Sequence, residues 1–443
     1  MTQPRQGERV VILGGGLTGI STAFHLGATA PGWLLIEKEA RLGGHARTDE
    51  RDGFHFDKTG HWLHLRSPYG QKLVSELLPD GLIPVERRSR VFSHGALTRY
   101  PFQANLFGLP PDVVKECLLG LIEANAKKGG VAEPRNFEEY CRYHFGDGIA
   151  RHFMLPYNRK LWGVEPREIT SEWCSRFVPI PKLSDVVAGA VGANPPELGY
   201  NVRFLYPKSG GIETMTRALI ARLAVGETRT STSPDAVLWR ERRVLVGGEE
   251  IPYRALVATI PLPELLARME GLPAPIAAAA AKLRCTAVRY LNVALRKPPP
   301  ADFHWIYVPE EKFPFYRVGI YTNAVPSMAP PGRGSLYVEL ADRSARPAED
   351  VLRDCLPGLV AAKAVGSAAD VLFAEVRELR WAYVVFDDDY FDAVGAIVPF
   401  LEANAIYPRG RYGSWTYNSM EDCILAGREV ASLVGKQHPD GAP

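Results

Sequence analysis

The stretch VVILGGGLTGISTAFHL, residues 10–26, joins an apolar run to a glycine-rich turn and then to a sequence with helical spacing. Gly14 permits a tight turn, Gly16 lets the backbone approach a pyrophosphate, and Gly19 allows the helix to pack closely on the strand. The free N–H groups at such a helix start attract an anion. The next apolar run is followed by Glu37, which suits a bidentate contact to an adenosine ribose. This order predicts a dinucleotide-binding unit, and a glycine turn without a ligand is the plainer alternative.

Further glycine turns favour FAD over NAD as the dinucleotide. Arg41-Leu42-Gly43-Gly44 follows soon after Glu37 and supplies a second close approach along an extended ligand. The segment 411–430 offers another turn that leads into a helix, whose positive end would point at the carbonyl edge of a flavin. The predicted cofactor-binding residues in these turns are Gly14, Gly16, Leu17, Thr18, Gly19, Glu37, Lys38, Gly43, Gly44, Asn418, Ser419 and Met420.

A second unusual stretch is GFHFDKTGHWLH, residues 53–64, with three histidines, an aspartate and two glycines. No regular strand or helix pattern explains its Gly60-His61 pair, and a glycine beside a histidine suggests close approach of another group. We interpret Gly60 and His61 as cofactor-binding residues that lie against the isoalloxazine ring of FAD. A surface histidine with ordinary hydrogen bonds is the alternative.

Composition limits the range of partners. The chain has 443 residues, of which 46% are hydrophobic, and a formal net charge of +2, so neither nucleic acid nor an anionic membrane is expected as a partner. The six cysteines are scattered singly, which indicates reduced thiols and no metal site. The N-terminus has no basic-then-apolar leader, and no apolar stretch approaches the ~20 residues that cross a bilayer. We therefore expect a cytoplasmic protein without membrane insertion.

The order of elements predicts an α/β protein in three parts. Strand-helix-strand patterns stand near both ends, helical spacing fills 110–163, and alternating strand patterns recur at 230–262 and 285–341. This indicates a discontinuous Rossmann-like FAD-binding domain with an inserted helical domain and an antiparallel β-sheet domain. The expected bounds are 8–83, 202–262 and 402–436 for the FAD-binding domain, 106–201 for the helical substrate domain, and 84–105 with 263–401 for the sheet domain.

Several longer stretches resemble the UDP-galactopyranose mutase family, especially its eukaryotic type. They are GFHFDKTGH, YPFQANLFGLP, GIARHFMLPYNRKLWGV, YNVRFLYPKSGGI, WIYVPEEKFPFYR and GRYGSWTY, and they extend over almost the whole chain. The glycine motif is shared more widely, with amine oxidases and protoporphyrinogen oxidases. YPFQ, PYNRKLW, PFYR and RYGSWTY are more specific to the mutases.

The resemblance implies an activity that is unusual for a flavin enzyme. FAD must first be reduced, by NADPH or NADH in the eukaryotic type. Its central-ring nitrogen then attacks the anomeric carbon of UDP-galactopyranose and displaces UDP, which is covalent catalysis. The sugar opens, recloses as the five-membered ring and recaptures UDP as UDP-galactofuranose, with no net redox change. A homo-oligomer is possible in this family.

The resemblance also implies roles for individual residues. His61 would lie beside the flavin, Arg317 would bind the diphosphate, and Asn201 would reach the sugar or phosphate region. Hydroxyl donors to the diphosphate would be Tyr307, Tyr383 and Tyr417, and the uridine side would be formed by Tyr100, Gln103, Asn158 and Trp162. Positions tied to the nicotinamide cofactor or the flavin are matched by Arg87, Ser89 and Arg411. Taken one at a time, these aromatic residues are more often part of a core.

The chain departs from the family pattern at two places. Phe177 stands where the family has a second diphosphate-binding arginine, and Arg176 is one position earlier, about 100° away on a helix. Either Arg176 substitutes or one arginine is missing. Trp62, His64 and Arg66 also differ from the family at positions expected near the flavin and the sugar, which leaves the sugar open.

Two other functions explain part of the pattern. One is an FAD-dependent oxidase or dehydrogenase of the amine oxidase or protoporphyrinogen oxidase type. It accounts for the glycine motif and for the missing arginine but leaves the mutase-like stretches unexplained. The other is a nucleotide-sugar binding protein that retains FAD without turnover, which the presence of His61 and Arg317 disfavours.

Overall fold

The computed structural model describes residues 9–27, 32–79, 81–128, 130, 132–172, 178–193, 202–224 and 226–435. The strands of this part of the chain are β1 Val10–Leu13, β2 Trp33–Ile36, β3 Thr48–Arg51, β4 Phe54–Asp57, β5 Leu82–Glu86, β6 Ser89–Ser93, β7 Ala96–Arg99, β8 Arg203–Pro207, β9 Glu227–Arg229, β10 Ala236–Leu238, β11 Arg243–Val246, β12 Glu249–Pro252, β13 Ala255–Ala258, β14 Cys285–Leu295, β15 Trp305–Tyr307, β16 Phe315–Ile320, β17 Gly334–Leu340, β18 Val371–Val384 and β19 Ile406–Pro408.

The α-helices of the same part are α1 Leu17–Leu26, α2 Pro68–Leu77, α3 Pro111–Lys127, α4 Phe137–Ile149, α5 Leu155–Trp162, α6 Leu183–Ala190, α7 Glu213–Ile220, α8 Leu262–Leu266, α9 Ala274–Ala281, α10 Tyr321–Ala324, α11 Ala348–Ala361, α12 Tyr390–Ala403, α13 Gly410–Gly413 and α14 Met420–Gly435. None of the helices described is both long enough and apolar enough to cross a lipid bilayer.

A five-stranded parallel sheet takes its strands from three separated parts of the chain, in the order β19-β13-β1-β2-β9. β1, β2 and β13 are buried along their whole length, as expected for apolar strands covered on both faces. Val10 and Ile12 pack with residues of α1 and α14, whereas Val11 and Leu13 belong to the larger core on the opposite face. This sheet is the predicted discontinuous Rossmann-like unit.

A seven-stranded sheet forms the second layer, in the order β18-β14-β17-β16-β15-β6-β7. One face is apolar and is covered by residues of α11, and the other face carries polar and aromatic side chains at the alternate positions. The predicted antiparallel pairing holds except between β6 and β15, which are parallel. These two strands come from distant parts of the chain, so no hairpin forces them to run in opposite directions.

The helical insertion is held together by close helix contact and is tied to the sheet by a buried lysine. A Cβ at Gly148 would lie 2.3 Å from the carbonyl oxygen of Glu116, so α3 and α4 cross where no side chain fits. Lys160 on α5 donates through Nζ to three carbonyl oxygens, those of Val308, Glu310 and Phe315, at 3.1, 2.8 and 2.7 Å. Burial lowers the pKa of Lys160 to about 7. α5 is thereby fixed against the β15–β16 connection, which confirms the predicted helical domain beside an antiparallel sheet.

Candidate flavin and nucleotide-sugar site

A cavity of about 650 Å³ lies between the carboxyl ends of the parallel strands and the polar face of the seven-stranded sheet. This is the edge at which open α/β sheets bind their ligands. Most of the residues predicted from the sequence line it. They are Gly14, Gly16, Leu17, Thr18, Glu37, Lys38, Gly43, Gly44, Gly60, His61, Tyr307, Arg317, Tyr383, Arg411, Tyr417, Asn418, Ser419 and Met420.

The two glycine turns contact each other at one end of the cavity. The Gly43 N–H donates to the Gly15 carbonyl at 2.8 Å, and a Cβ at Gly44 would lie 2.9 Å from Cα of Gly16. A Cβ at Gly19 would lie 1.9 Å from the Gly14 carbonyl oxygen, so only glycine lets α1 start this close to β1. The result is a surface of bare backbone beside the first turn of a helix, which suits a pyrophosphate.

Glu37 lies at this end of the cavity and is 8% exposed. Its Oε2 accepts a hydrogen bond from the Gly15 N–H at 2.6 Å, and its Oε1 accepts one from the Glu39 N–H at 2.8 Å. The carboxylate therefore holds the first glycine turn in place. Each oxygen retains a second lone pair, so the predicted ribose contact stays a prediction.

A rigid turn presents Gly60 and His61 to the cavity. The buried Asp57 carboxylate accepts from the Thr48 hydroxyl at 2.7 Å, the Ile212 N–H at 3.2 Å and the Tyr206 hydroxyl. Burial raises the pKa of Asp57 to about 7, and these hydrogen bonds act against that shift. Thr59 adopts a left-handed φ of 68°, which is unfavourable for a β-branched residue and marks a conformation enforced by its surroundings.

The group that excludes a side chain at position 60 is Tyr337. A Cβ at Gly60 would lie 2.4 Å from the Tyr337 hydroxyl oxygen and 3.0 Å from Nε1 of Trp62. The Tyr337 ring in turn lies across Gly319, where a Cβ would come within 2.1 Å of the ring. The flavin ring that we predicted as the reason for this glycine is therefore not needed to explain it, although Gly60 does line the cavity.

Two histidines line the cavity in their neutral form. Burial, together with the nearby Arg411 charge, lowers the pKa of His61 to about 4. Burial also holds the pKa of His45 well below its usual value, with added effects from His61 and Lys58. Nδ1 of His45 lies 3.1 Å from the Tyr412 hydroxyl. Nδ1 of His61 is shielded from solvent and forms no hydrogen bond of good geometry among the described residues.

Cross-strand register builds the wall opposite the glycine turns. In an antiparallel pair, directly opposed residues point to the same face. Tyr307, Arg317 and Glu339 are opposed across β15, β16 and β17, and Trp305, Gly319 and Tyr337 form the next row. Nη1 of Arg317 lies 3.2 Å from Oε1 of Glu339, and Nη2 lies 3.2 Å from the Tyr157 hydroxyl oxygen.

Arg411 is the second cation at this wall. It donates to the carbonyl oxygens of Asn418 and Ala382 at 3.0 and 2.9 Å, and it lies 4.4 Å from the ring centre of Tyr417. No carboxylate lies within ion-pair distance of it in the part of the chain that the structure describes. A cation shielded in this way favours an anionic ligand.

The residues assigned to the uridine side lie behind the cavity wall. Tyr100 packs on Tyr307 with ring centres 4.7 Å apart, and Trp162 lies 5.6 Å from Tyr383. Asn158 donates to Met154 and accepts from Trp162, and Gln103 donates to Pro179. Their uridine-binding role stays a prediction. Of the residues linked to nicotinamide, Arg87 lies over the Tyr100 ring, and Ser89 is buried on β6 opposite Trp305.

Three predicted positions lie outside the described residues, namely Arg176, Phe177 and Asn201. A fourth prediction is corrected. Trp62 and His64 line the cavity as expected, but Arg66 does not. Its side chain is 55% exposed and pairs with Asp422 at 3.2 Å, because the chain turns towards the start of α14 at that point.

Sequence reasoning missed several residues of the wall. His45 directly follows the second glycine turn, so its proximity to that turn was a usable signal. Tyr337, which lines the cavity, had no such signal, and neither did Glu339 and Tyr157, which contact Arg317 behind the wall, because strand register and the position of α5 bring them there. Lys58 lines the cavity two residues before Gly60, and burial lowers its pKa.

The residues present fit FAD. The paired glycine turns provide bare backbone for a pyrophosphate. Within the described ranges, the shielded Nδ1 of His61 has no well-placed hydrogen-bond partner and Arg411 has no carboxylate partner. A long, anionic ligand with polar ring edges would supply the partners that these three groups do not find in one another.

Comparison with known proteins supports this assignment. The family model of flavin-containing amine oxidoreductases matches residues 17–435. The chain belongs to this family. Among solved members of the fold, a crystal structure of reduced UDP-galactopyranose mutase superposes with a TM-score of 0.90 and 27% identity, over 96% of this chain and 93% of that one. This amine oxidoreductase-family chain thus shares nearly its whole architecture with a mutase.

Sequence relatives match over shorter spans. A dTDP-fucopyranose mutase of Escherichia coli is 26% identical over 181 residues, which is 38% of this chain and 46% of that protein. A coproporphyrinogen III oxidase of Propionibacterium freudenreichii subsp. freudenreichii is 28% identical over 177 residues, 36% of this chain and 33% of that protein. The aligned region therefore spans less than half of either relative, and the two differ in the reaction that their names state.

Gly60→Ala should lower thermal stability and the amount of FAD that co-purifies, because the new methyl group meets the Tyr337 hydroxyl. We expect a loss of about 1–3 kcal/mol, typical of an overpacked site. Adding Tyr337→Phe should recover part of the lost stability, because it removes the hydroxyl oxygen that would lie 2.4 Å from the new Cβ. Gly395→Ala is the matched control, since a Cβ there meets nothing within 4 Å. Unchanged melting temperature and FAD content in Gly60→Ala would contradict the packing argument.

Arg317→Ala should destabilise the protein, because it leaves the Glu339 carboxylate, 1% exposed, without its cation. Breaking a buried pair in this way costs about 3–5 kcal/mol. The double variant Arg317→Met with Glu339→Gln should unfold near the wild-type midpoint, because neither charge is then left alone. Urea unfolding of the three proteins measures this. Equal urea midpoints for Arg317→Ala and the wild type would show that the Arg317–Glu339 pair contributes nothing to the free energy of unfolding.

Proposed function

We propose that this protein is a flavin-dependent mutase that contracts the pyranose ring of a nucleoside-diphosphate sugar, with UDP-galactopyranose to UDP-galactofuranose as the reaction to test first. One observation carries the proposal. A guanidinium, Arg317, and three tyrosines, Tyr307, Tyr383 and Tyr417, line the same cavity as the glycine turns of the cofactor site. A guanidinium with neighbouring hydroxyl donors suits a diphosphate. An oxidase acting on an amine or a ring system has no need of such a subsite beside its flavin.

The chain's own residues would divide the work between binding and orientation. Arg317 and the tyrosine hydroxyls would hold the diphosphate, which is the leaving group and must also be retained for recapture. Neutral His61 and the turn that carries it would orient the ring of the cofactor. Reduced FAD, once bound and reduced by NADPH or NADH, would supply the nucleophile for the anomeric carbon.

The identity of the sugar is part of the proposal. Trp62 and His64, which differ from the UDP-galactopyranose mutase pattern, both line the cavity, and Trp62 lies 6.1 Å from Trp305 in a stacked arrangement. An aromatic wall of this kind suits the less polar face of a sugar, including a deoxysugar. The E. coli relative acts by its name on dTDP-fucopyranose, so a dTDP-deoxysugar is the second substrate to test.

Protein reduced with dithionite should convert UDP-galactofuranose to UDP-galactopyranose, and the oxidised protein should not. Chromatography of the two nucleotide sugars measures the conversion. The Arg317→Met/Glu339→Gln double variant keeps its flavin but should bind UDP at least tenfold more weakly, since a charge-assisted contact contributes about 1.5–3 kcal/mol. If dTDP-fucofuranose is converted and UDP-galactofuranose is not, the proposed ring contraction stands and the proposed substrate is replaced by the dTDP sugar. Absence of UDP binding in the wild type would favour the FAD-dependent oxidase or dehydrogenase.

His61→Ala should lower turnover roughly fivefold while FAD stays bound, because one hydrogen bond contributes about 1 kcal/mol. With the pKa of His61 at about 4, the imidazole is already neutral near pH 7, so the turnover of the wild type should show no step from its titration at mildly acidic pH. His144→Ala, in α4 and outside the cavity wall, is the control. Full activity in His61→Ala would exclude a role beside the flavin.

A further inference from the structure

The Arg317–Glu339 pair is incompletely satisfied in an unusual way. Glu339 is 1% exposed, and only its Oε1 is paired, at 3.2 Å from Nη1 of Arg317. Among the described residues, its Oε2, Nε of Arg317 and the hydroxyl of Tyr316 form no hydrogen bond of good geometry. The Tyr316 hydroxyl is nevertheless near enough to the carboxyl group to act against the rise in its pKa. Buried carboxylates are normally bonded through both oxygens. Oε2 of Glu339 can therefore accept a proton, and the Nε–H of the adjacent Arg317 can donate a further hydrogen bond.

The other groups that face Glu339 carry no charge near neutral pH. They are Tyr316 on β16, Tyr337 on its own strand, Tyr290 opposite on β14, Tyr157 from α5 and Tyr383 from β18. Burial raises the pKa of each of these tyrosines, so all remain as phenols. Arg317 is thus the one cation paired with Glu339 in the part of the chain that the structure describes.

A diphosphate bound to Arg317 brings a second anion to the same guanidinium. One positive charge then faces both the buried carboxylate and the phosphates. Like charges at close range raise the pKa of the weaker acid, and a phosphodiester is a much stronger acid than a carboxyl group. Glu339 is therefore the group that becomes neutral.

We propose that Glu339 takes up a proton from solvent when a nucleoside-diphosphate sugar binds, which frees Arg317 to donate to the phosphates. The proton goes to Oε2, no other bond is made or broken, and the proton returns to solvent when the ligand leaves. This inference rests on the proposed function. It makes Glu339 a positioning residue that sets how much of the Arg317 charge is available to the ligand.

The direction of the pH effect follows from this coupling. Burial already raises the pKa of Glu339 in the free protein, and the charge of Arg317 acts against that shift. The bound phosphates raise the pKa further. Because the complex holds one more proton than the separate partners, affinity should fall as pH rises from the lower to the higher of these two pKa values, by up to about tenfold per pH unit.

The test is calorimetric titration of the oxidised holoenzyme with UDP-galactopyranose, which does not turn over without reduction and whose phosphates have no titrating proton near neutral pH. Phosphate and Tris buffers differ in ionisation enthalpy, so the difference between the two binding enthalpies gives the number of protons taken up. We expect uptake approaching one proton per site in the wild type. Glu339→Gln should bind with no uptake and with an affinity that no longer depends on pH.

Glu311→Gln is the matched control, because Glu311 is 71% exposed and pairs only with Arg159, outside the cavity. Its proton uptake should equal that of the wild type. Buffer-independent binding in the wild type would overturn this inference and leave the mutase proposal standing. Uptake that persists in Glu339→Gln would also overturn it, since another group would then hold the proton. If UDP-galactopyranose does not bind, the same titration is made with dTDP-fucopyranose, and both proposals fail if neither nucleotide sugar binds.

Discussion

The contact between Gly60 and Tyr337 is the constraint on which the site depends. The backbone of the 57–61 turn and a tyrosine from the seven-stranded sheet approach so closely that no side chain fits between them. That contact holds the 57–61 turn, which carries His61, against the polar face of the seven-stranded sheet. Gly60, His61 and Tyr337 all line the cavity, so the close packing there helps to shape it.

The turn is held from both sides by hydrogen bonds rather than by apolar packing alone. The Tyr321 hydroxyl donates to the carbonyl oxygens of Asp57 and Thr59 at 2.9 and 3.2 Å, and the Asp57 side chain accepts from Thr48, Tyr206 and Ile212. Such a network is costly when partly satisfied and rigid when complete. The strained φ of Thr59 is therefore sustained by its surroundings, and His61 is presented in one orientation.

The charges around the cavity are arranged for anions at two points. Among the described residues, Arg411 has carbonyl and ring partners and no carboxylate, so its charge is available to an anionic group in the cavity. Less of the Arg317 charge is available to a ligand, because one of its terminal nitrogens is already paired with Glu339. In the sequence, Phe177 stands where the related mutases have a second arginine, with Arg176 one position earlier. The proposed protonation of Glu339 on binding would increase the charge that Arg317 offers to a diphosphate without another cation.

The sequence by itself determined the cofactor half of the site. Gly14, Gly19, Gly43 and Glu37 lie within a few residues of one another, and local spacing dictates turn and helix geometry directly. Arg317 was found through a longer resemblance. Only the tertiary structure brought Tyr337 to the cavity, placed Glu339 and Tyr157 against Arg317 behind its wall, and moved Arg66 away from it. The physical reason is that cross-strand register and helix docking join residues far apart in the chain, and no local pattern records which face a strand turns towards a partner.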